Sequence, residues 1–140
     1  MVIDASVWVA AFLARDAQHR NVVEFLRKCV EEGLLTTIPL LALSEIAGAI
    51  ARQTDDTVLA ERAVTFLRAQ PWIRFAPLNN PLAAEAASLA ARQRLRGADA
   101  VYVALAAQRD GILVTLDREM SERAPSSVVT RTPSDWLNDT

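Results

Sequence analysis

Apolar and polar positions follow two periods along the chain, one suited to helices and one to strands. Met1 to Ile3 opens a short buried strand, and Ser6 to Arg15 is an apolar stretch of helical length. Between His19 and Glu32, the residues Val22, Val23, Leu26, Cys29 and Val30 recur at helical spacing, and Gly33 supplies a helix-terminating glycine. Leu34 to Ile38 reads as a β-branched strand, and Pro39 then suits the first turn of a helix running to Gln53. Asp55 or Asp56 caps the next helix, which reaches Ala69, and Trp72 to Ala76 reads as an edge strand. Asn80-Pro81 starts a helix that extends to Leu95, ahead of Gly97. Asp99 to Arg109 is apolar nearly all round, the mark of a buried helix. Asp110-Gly111 turns the chain into a strand, Ile112 to Thr115, and Ser127 to Arg131 forms a last short strand. Alternating helices and strands predict an α/β fold on a parallel sheet. No repeat, low-complexity tract or Gly/Ser linker breaks the pattern, so residues 1–140 are expected to form a single domain.

Composition changes this picture in three respects. At 51% hydrophobic residues the chain has ample material for a core, which argues against disorder. Cys29 is the only cysteine, so no internal disulfide or zinc cluster is expected, and a reducing compartment fits. Its place in a helical stretch reads as a small buried hydrophobe. The apolar run Val7 to Ala14 is too short to span a bilayer and lacks a basic leader, so a cytoplasmic protein is expected. The net charge of −2 runs against the basic footprint of a nucleic-acid binder. Setting four carboxylates aside at one site leaves the rest of the chain at +2. Lys28 is the sole lysine among fifteen lysines and arginines. Arginine suits bidentate phosphate contact, although genome composition produces the same bias.

Four acids stand where acids are costly. Asp4 follows the first strand and Asp117 follows the strand Ile112 to Thr115, so both belong at the carboxyl edge of the sheet, where open parallel sheets bind ligands. Glu45 interrupts the apolar helix Leu40 to Ile50, and Asp99 opens the buried helix. Singly, Asp4, Asp99 and Asp117 also read as helix N-caps, and Glu45 as a snorkelling surface residue. Jointly they converge. Two unit charges about 4 Å apart repel by roughly 4 kcal/mol at an effective dielectric near 20. Four such groups demand a cation, and all-oxygen ligands favour Mg²⁺ or Mn²⁺. His19 is the only histidine, which excludes a two-histidine acid–base site, and no nucleophile lies near it. The four glycines form no phosphate-binding loop. Metal-assisted attack on a phosphodiester remains.

The segments Val2-Ile3-Asp4-Ala5-Ser6, Ser44-Glu45, Gly97 to Ala106 and Leu113-Val114-Thr115-Leu116-Asp117 resemble, in order and spacing, the motifs of PIN domains. The likeness is nearest to VapC-type toxins of toxin–antitoxin pairs. It implies a three-layer fold, a central parallel sheet flanked by helices, and Mg²⁺- or Mn²⁺-dependent cleavage of RNA. By position, Asp4, Glu45, Asp99 and Asp117 are the implied acidic quartet, with Asp4 and Asp99 as metal ligands and Glu45 and Asp117 as further ligand candidates. Ser6 and Thr115 match supporting hydroxyls, each with another reading as a cap or a strand residue. Glu119 stands where some relatives carry one more acid, and also reads as a solvated helix residue. The resemblance further implies a homodimer and a cognate antitoxin that covers the site. Trp8, Phe12 and Leu13 are a candidate docking groove for it, or core.

Arg92, Arg94 and Arg96 closely precede Asp99 and are candidate RNA-backbone contacts, or a solvated helix end. Three other functions stay open. One is a housekeeping RNA-processing nuclease on the same fold. Another is a phosphoaccepting receiver, which needs a lysine near its acids, whereas Lys28 lies within a helix. The last is a binding module with a degenerate site.

Overall fold

A computed structural model describes residues 1–109 and 111–139. In chain order the elements are β1 (Val2–Ile3), α1 (Ala5–Phe12), α2 (His19–Glu31), β2 (Thr36–Pro39), α3 (Ala42–Thr54), α4 (Thr57–Arg68) and β3 (Ile73–Ala76). There follow α5 (Asn80–Gln93), α6 (Gly97–Ala107), β4 (Ile112–Val114), α7 (Arg118–Arg123), β5 (Val129–Arg131) and α8 (Pro133–Asn138). The strands form one sheet in the order β3-β2-β1-β4-β5, and every pairing is parallel. β3 is an edge strand, as the sequence predicts.

The centre of the sheet is short but fully paired. Val2 stands opposite Thr37 on one side and Leu113 on the other. Beyond the strand, the Asp4 amide donates to the Val114 carbonyl at 2.9 Å, which carries the ladder one residue past β1. The chain builds outward from β1 through β2 to β3, then returns to the other side of β1 for β4. The strand order therefore reverses between β1 and β4, and their carboxyl ends frame a crevice.

Helices cover the sheet in the three-layer arrangement. α6 packs across β1, β2 and β4, with α5 against it. Residues Ala100 to Ala106 are all buried, which accounts for a helix that is apolar on every side. Removing a Val or Leu side chain from water contributes roughly 1.5–3 kcal/mol, so this helix anchors the core. α1 links α2 to α3, α4 packs on α3, and α8 packs on α2 and β5. Trp136 of α8 meets Phe25 of α2 edge-on, ring centroids 5.2 Å apart. No helix of the described residues is long and apolar enough to cross a membrane.

Several boundaries differ from the sequence reading. Pro39 does not open a helix: it ends β2, paired with Ala76 of the edge strand, and α3 begins at Ala42. Its missing N–H costs that pairing nothing, because the amides that reach β3 alternate with it: Thr36 N and Leu40 N take the Trp72 and Ala76 carbonyls at 2.9 Å, whereas Thr37 N faces β1. α5 stops at Gln93, since Arg94 adopts the left-handed conformation (φ 54°). Asp56, not Asp55, caps α4 by accepting from Leu59 N, while Asp55 closes α3 in a left-handed turn. Gly33 terminates α2 at φ 66°, as expected. Of the expected turn Asp110-Gly111, Asp110 lies outside the described residues, and Gly111 has φ 72°. The sequence reading has no counterpart of α8.

Candidate active site

Asp4 joins β1 to α1. Its carboxylate is buried, and Oδ2 accepts the Ser6 hydroxyl, the Ser6 amide at 3.3 Å and the Thr115 hydroxyl at 2.9 Å. The amide bond is the α1 N-cap, so Asp4 does cap a helix. Oδ1 takes no bond from a side chain. Burial pushes the Asp4 carboxyl above its ordinary range, and the Ser6 and Thr115 hydroxyls draw it partly back.

Each hydroxyl is itself oriented. Leu116 N donates to Ser6 Oγ at 3.1 Å, and Asp117 N donates to Thr115 Oγ1 at 2.9 Å. A hydroxyl carries one proton, so an accepted amide bond leaves that proton for Asp4. Two amides of the β4–α7 loop thereby act, through two hydroxyls, on one carboxylate oxygen.

The other acids arrive on three elements. Asp117 Oδ1 accepts Met120 N at 3.0 Å and caps α7. Glu45 lies in the first turn of α3, half-buried, and Oε2 accepts the Tyr102 hydroxyl at 2.6 Å. Burial raises the Glu45 carboxyl, the Tyr102 bond lowers it, and the charge of Asp4 raises it again. Tyr102 is fully buried, and burial above all, then the Asp4 charge, pushes its phenol far up, so it stays a neutral donor. The sequence reading includes Tyr102 in the segment Gly97 to Ala106 but gives it no role. The available signal was its place three residues beyond Asp99, on the same face of the buried helix, as the only tyrosine.

Asp99 is not a cap. α6 begins at Gly97 with Arg96 in the cap position, so Asp99 lies inside the first turn, where the helix dipole favours a carboxylate. Burial, then the charges of Asp117 and Asp4, push its carboxyl up to about 6.

All four acids line one open cleft of about 680 Å³ at the strand-order switch. Ser6, Ser44, Gln18, Gln53, Arg52 and a fifth acid, Asp16, share its walls. Asp16 accepts Gln18 N at 2.8 Å in the turn before α2 and carried no sequence signal. Arg92, Arg94 and Arg96 do not line the cleft. The Arg94 carbonyl accepts from Arg123, and Arg96 lies 3.8 Å from Glu119. Glu119 also pairs with Arg123 at 2.8 Å and is not among the cleft residues, so it adds no further acid there. His19 opens α2 with Nδ1 2.8 Å from the Ala10 carbonyl and does not line the cleft either. Lys28, in the last turn of α2, is equally absent. Cys29 is buried, and burial pushes its thiol up to about 12. Trp8 and Leu13 are core residues and Phe12 is partly buried against them, although Phe12 and Leu13 also line a second groove.

Among the described residues none of the four acids makes an ion pair. Nor do any three acid, histidine or cysteine side chains among them close on one ligating point as placed. A donor set of separated carboxylates and hydroxyls suits Mg²⁺ or Mn²⁺, because Mg²⁺ keeps several waters and needs only one or two carboxylates. The Asp4 carboxylate, held at Oδ2 by two hydroxyls, fits that demand.

An open acidic cleft on a parallel sheet with this strand order defines a class, and the sequence agrees. The chain matches the PIN domain family over residues 1–124 and belongs to it. No curated protein matches it by sequence. Solved structures share the fold. VapC20 of Mycobacterium tuberculosis, described as a sarcin-ricin loop cleaving toxin, aligns with a TM-score of 0.77 at 18% identity, over 91% of this chain and 97% of that one. FitAcB of Neisseria gonorrhoeae gives 0.72 at 18% identity, over 95% and 97%. A toxin–antitoxin complex from Klebsiella pneumoniae gives 0.68 at 17% identity, over 94% and 96%.

Proposed function

We propose that this PIN domain is a metal-dependent endoribonuclease and the toxin of a toxin–antitoxin pair. One observation carries the reading: four carboxylates from four separate elements line one cleft, and among the described residues no basic side chain pairs with any of them. Asp4 and Asp99 are the proposed ligands of Mg²⁺ or Mn²⁺, with Glu45 and Asp117 as further candidates. When bound, such a cation supplies charge neutralisation at the phosphodiester and a more acidic water.

The remaining work falls to the chain. Ser6 and Thr115 hold Asp4 by Oδ2, so its carboxylate cannot swing away. Tyr102 fixes one oxygen of Glu45, which leaves Oε1 to take a proton from the attacking water. Asp117 is locked by its own cap. The fold likeness to a toxin described as cleaving the sarcin-ricin loop supports RNA as the substrate, and likeness to a toxin–antitoxin complex supports an antitoxin partner, which in this reading covers the acids. A homodimer belongs to the same reading. Arg92, Arg94 and Arg96, at the α5–α6 junction near Asp99, are proposed outer backbone contacts.

The test is incubation with a structured RNA panel in Mg²⁺, in Mn²⁺ and in chelator. The parent cuts in either cation and not in chelator. Asp4→Asn and Asp99→Asn stay folded and lose cleavage by several orders of magnitude. A variant that cuts as fast as the parent, or cleavage that persists in chelator, overturns the assignment.

A further inference from the structure

The cleft is asymmetric. Asp4, Glu45, Asp99 and Asp117 gather where the strand order reverses and Asp16 stands apart in the turn before α2, while α3 continues along the wall for two further turns and places Ala49, Arg52 and Gln53 there. Positions 45, 49 and 52 share one helix face. Arg52 is, among the described residues, the one basic side chain lining the cleft, and it makes no ion pair there.

Gly48 shapes this arginine. A Cβ on Gly48 would stand 3.0 Å from Arg52 Nη1, so the guanidinium lies folded back along α3 over the missing side chain. It therefore points toward the Glu45 end of the helix, roughly one turn, or about 5 Å, short of it. A planar guanidinium with five donors in a fork matches a phosphate. A carboxylate partner would cancel it, and among the described residues none pairs with it.

We infer that Arg52 binds a backbone phosphate of single-stranded RNA next to the scissile one, held in place by the space at Gly48. This rests on the endoribonuclease reading and extends it to the path of the strand. The substrate is a polyanion entering a cleft with five acids, so a bound cation alone neutralises only the reacting phosphate. Its neighbour needs a positive group further along the wall, and Arg52 stands there. Gln53, next to Arg52 on α3, adds an amide able to donate and accept, and Gln18 lines the same cleft. The cleft is the size of a small-molecule pocket, and single-stranded RNA reaches it without a duplex having to open.

The test uses the cleavage site mapped with the parent, carried on single-stranded RNAs trimmed stepwise from each end. In chelator, Arg52→Ala weakens binding of the longest strand several-fold and lowers the slope of log K against log salt by about 0.7. Trimming from one end past a particular nucleotide costs the parent the same factor, after which Arg52→Ala costs nothing more. Gly48→Ala, which must displace only the end of a flexible side chain, gives a smaller loss of the same kind. Equal binding by Arg52→Ala overturns the inference. So does a loss of constant size on every trimmed strand, which marks a mere counter-charge to the acids. In both cases the parent still cuts RNA and the nuclease reading stands. A parent that neither binds nor cuts RNA fails that reading, and the inference with it.

Discussion

Tyr102 illustrates how a residue outside the acidic quartet governs it. Glu45 is raised by burial and by the charge of Asp4, and the 2.6 Å bond from the phenol is what draws it down. Tyr102→Phe keeps the ring and the packing of α6 while removing that donor. The Glu45 carboxyl then rises further, so the acid limb of the cleavage–pH profile moves to higher pH. Stability falls by about 1 kcal/mol, below the usual range for a bond to a charged group because Glu45 is half exposed. RNA affinity in chelator is unchanged. A pH profile superimposable on the parent's removes Tyr102 from the mechanism. The same residue marks a limit of sequence reading. Asp4 and Glu45 stand out because an acid in an apolar run is costly. A tyrosine in an apolar helix violates nothing, and its partner lies 57 residues away. Asp16 is silent for the same reason, since an acid in a turn is ordinary.

Among the elements, the caps show why helix chemistry and site chemistry are hard to separate in a sequence. Asp4 and Asp117 are N-caps that also line the cleft, so the two readings were never alternatives. Asp99 resembles them in sequence yet sits inside the first turn of α6, because Gly97 starts that helix two residues earlier. A capping role can be stripped from a charge role at Asp117. Asn caps as well as Asp does, whereas Ala costs about 1 kcal/mol. Asp117→Asn is therefore expected to keep the thermal midpoint of the parent and lose cleavage, while Asp117→Ala loses both. Equal melting of the two variants shows that the cap contributes nothing, and full cleavage by Asp117→Asn shows that its charge is not needed. Most elements were legible from period and punctuation. Pro39 was misplaced because a proline at a helix start and a proline closing a strand beside an edge strand have the same sequence context. α8 was missed although Thr132 and Asp135 form a capping box, because six residues carry too little periodicity to reveal a helix.

For the whole molecule, the topology brings together groups that repel. β1 and β4 deliver Asp4 and Asp117 to the reversal of strand order, and α3 and α6 bring Glu45 and Asp99 to the same crevice. Folding without a cation therefore works against the site, and pH and metal should reveal it in opposite ways. The folded Asp99 carboxyl titrates at about 6, against 3.8 ordinarily. The folded state thus binds this proton more tightly than the unfolded chain does. The resulting stabilisation is fully present below about pH 4 and is lost as pH rises through 6. In chelator, the difference in thermal midpoint between the parent and Asp99→Asn should follow that window, with the parent losing ground as the solution is made neutral. At neutral pH a divalent cation that binds only the folded state should restore the loss. At a hundredfold excess over its dissociation constant the gain is about 2.7 kcal/mol, roughly 10 °C for a chain of this length. Asp4→Asn and Asp99→Asn should show a much smaller gain. A parent that melts at one temperature in chelator and in saturating Mg²⁺ or Mn²⁺ has no site for either ion, and four unpaired carboxylates in one cleft would then need another cation to explain them.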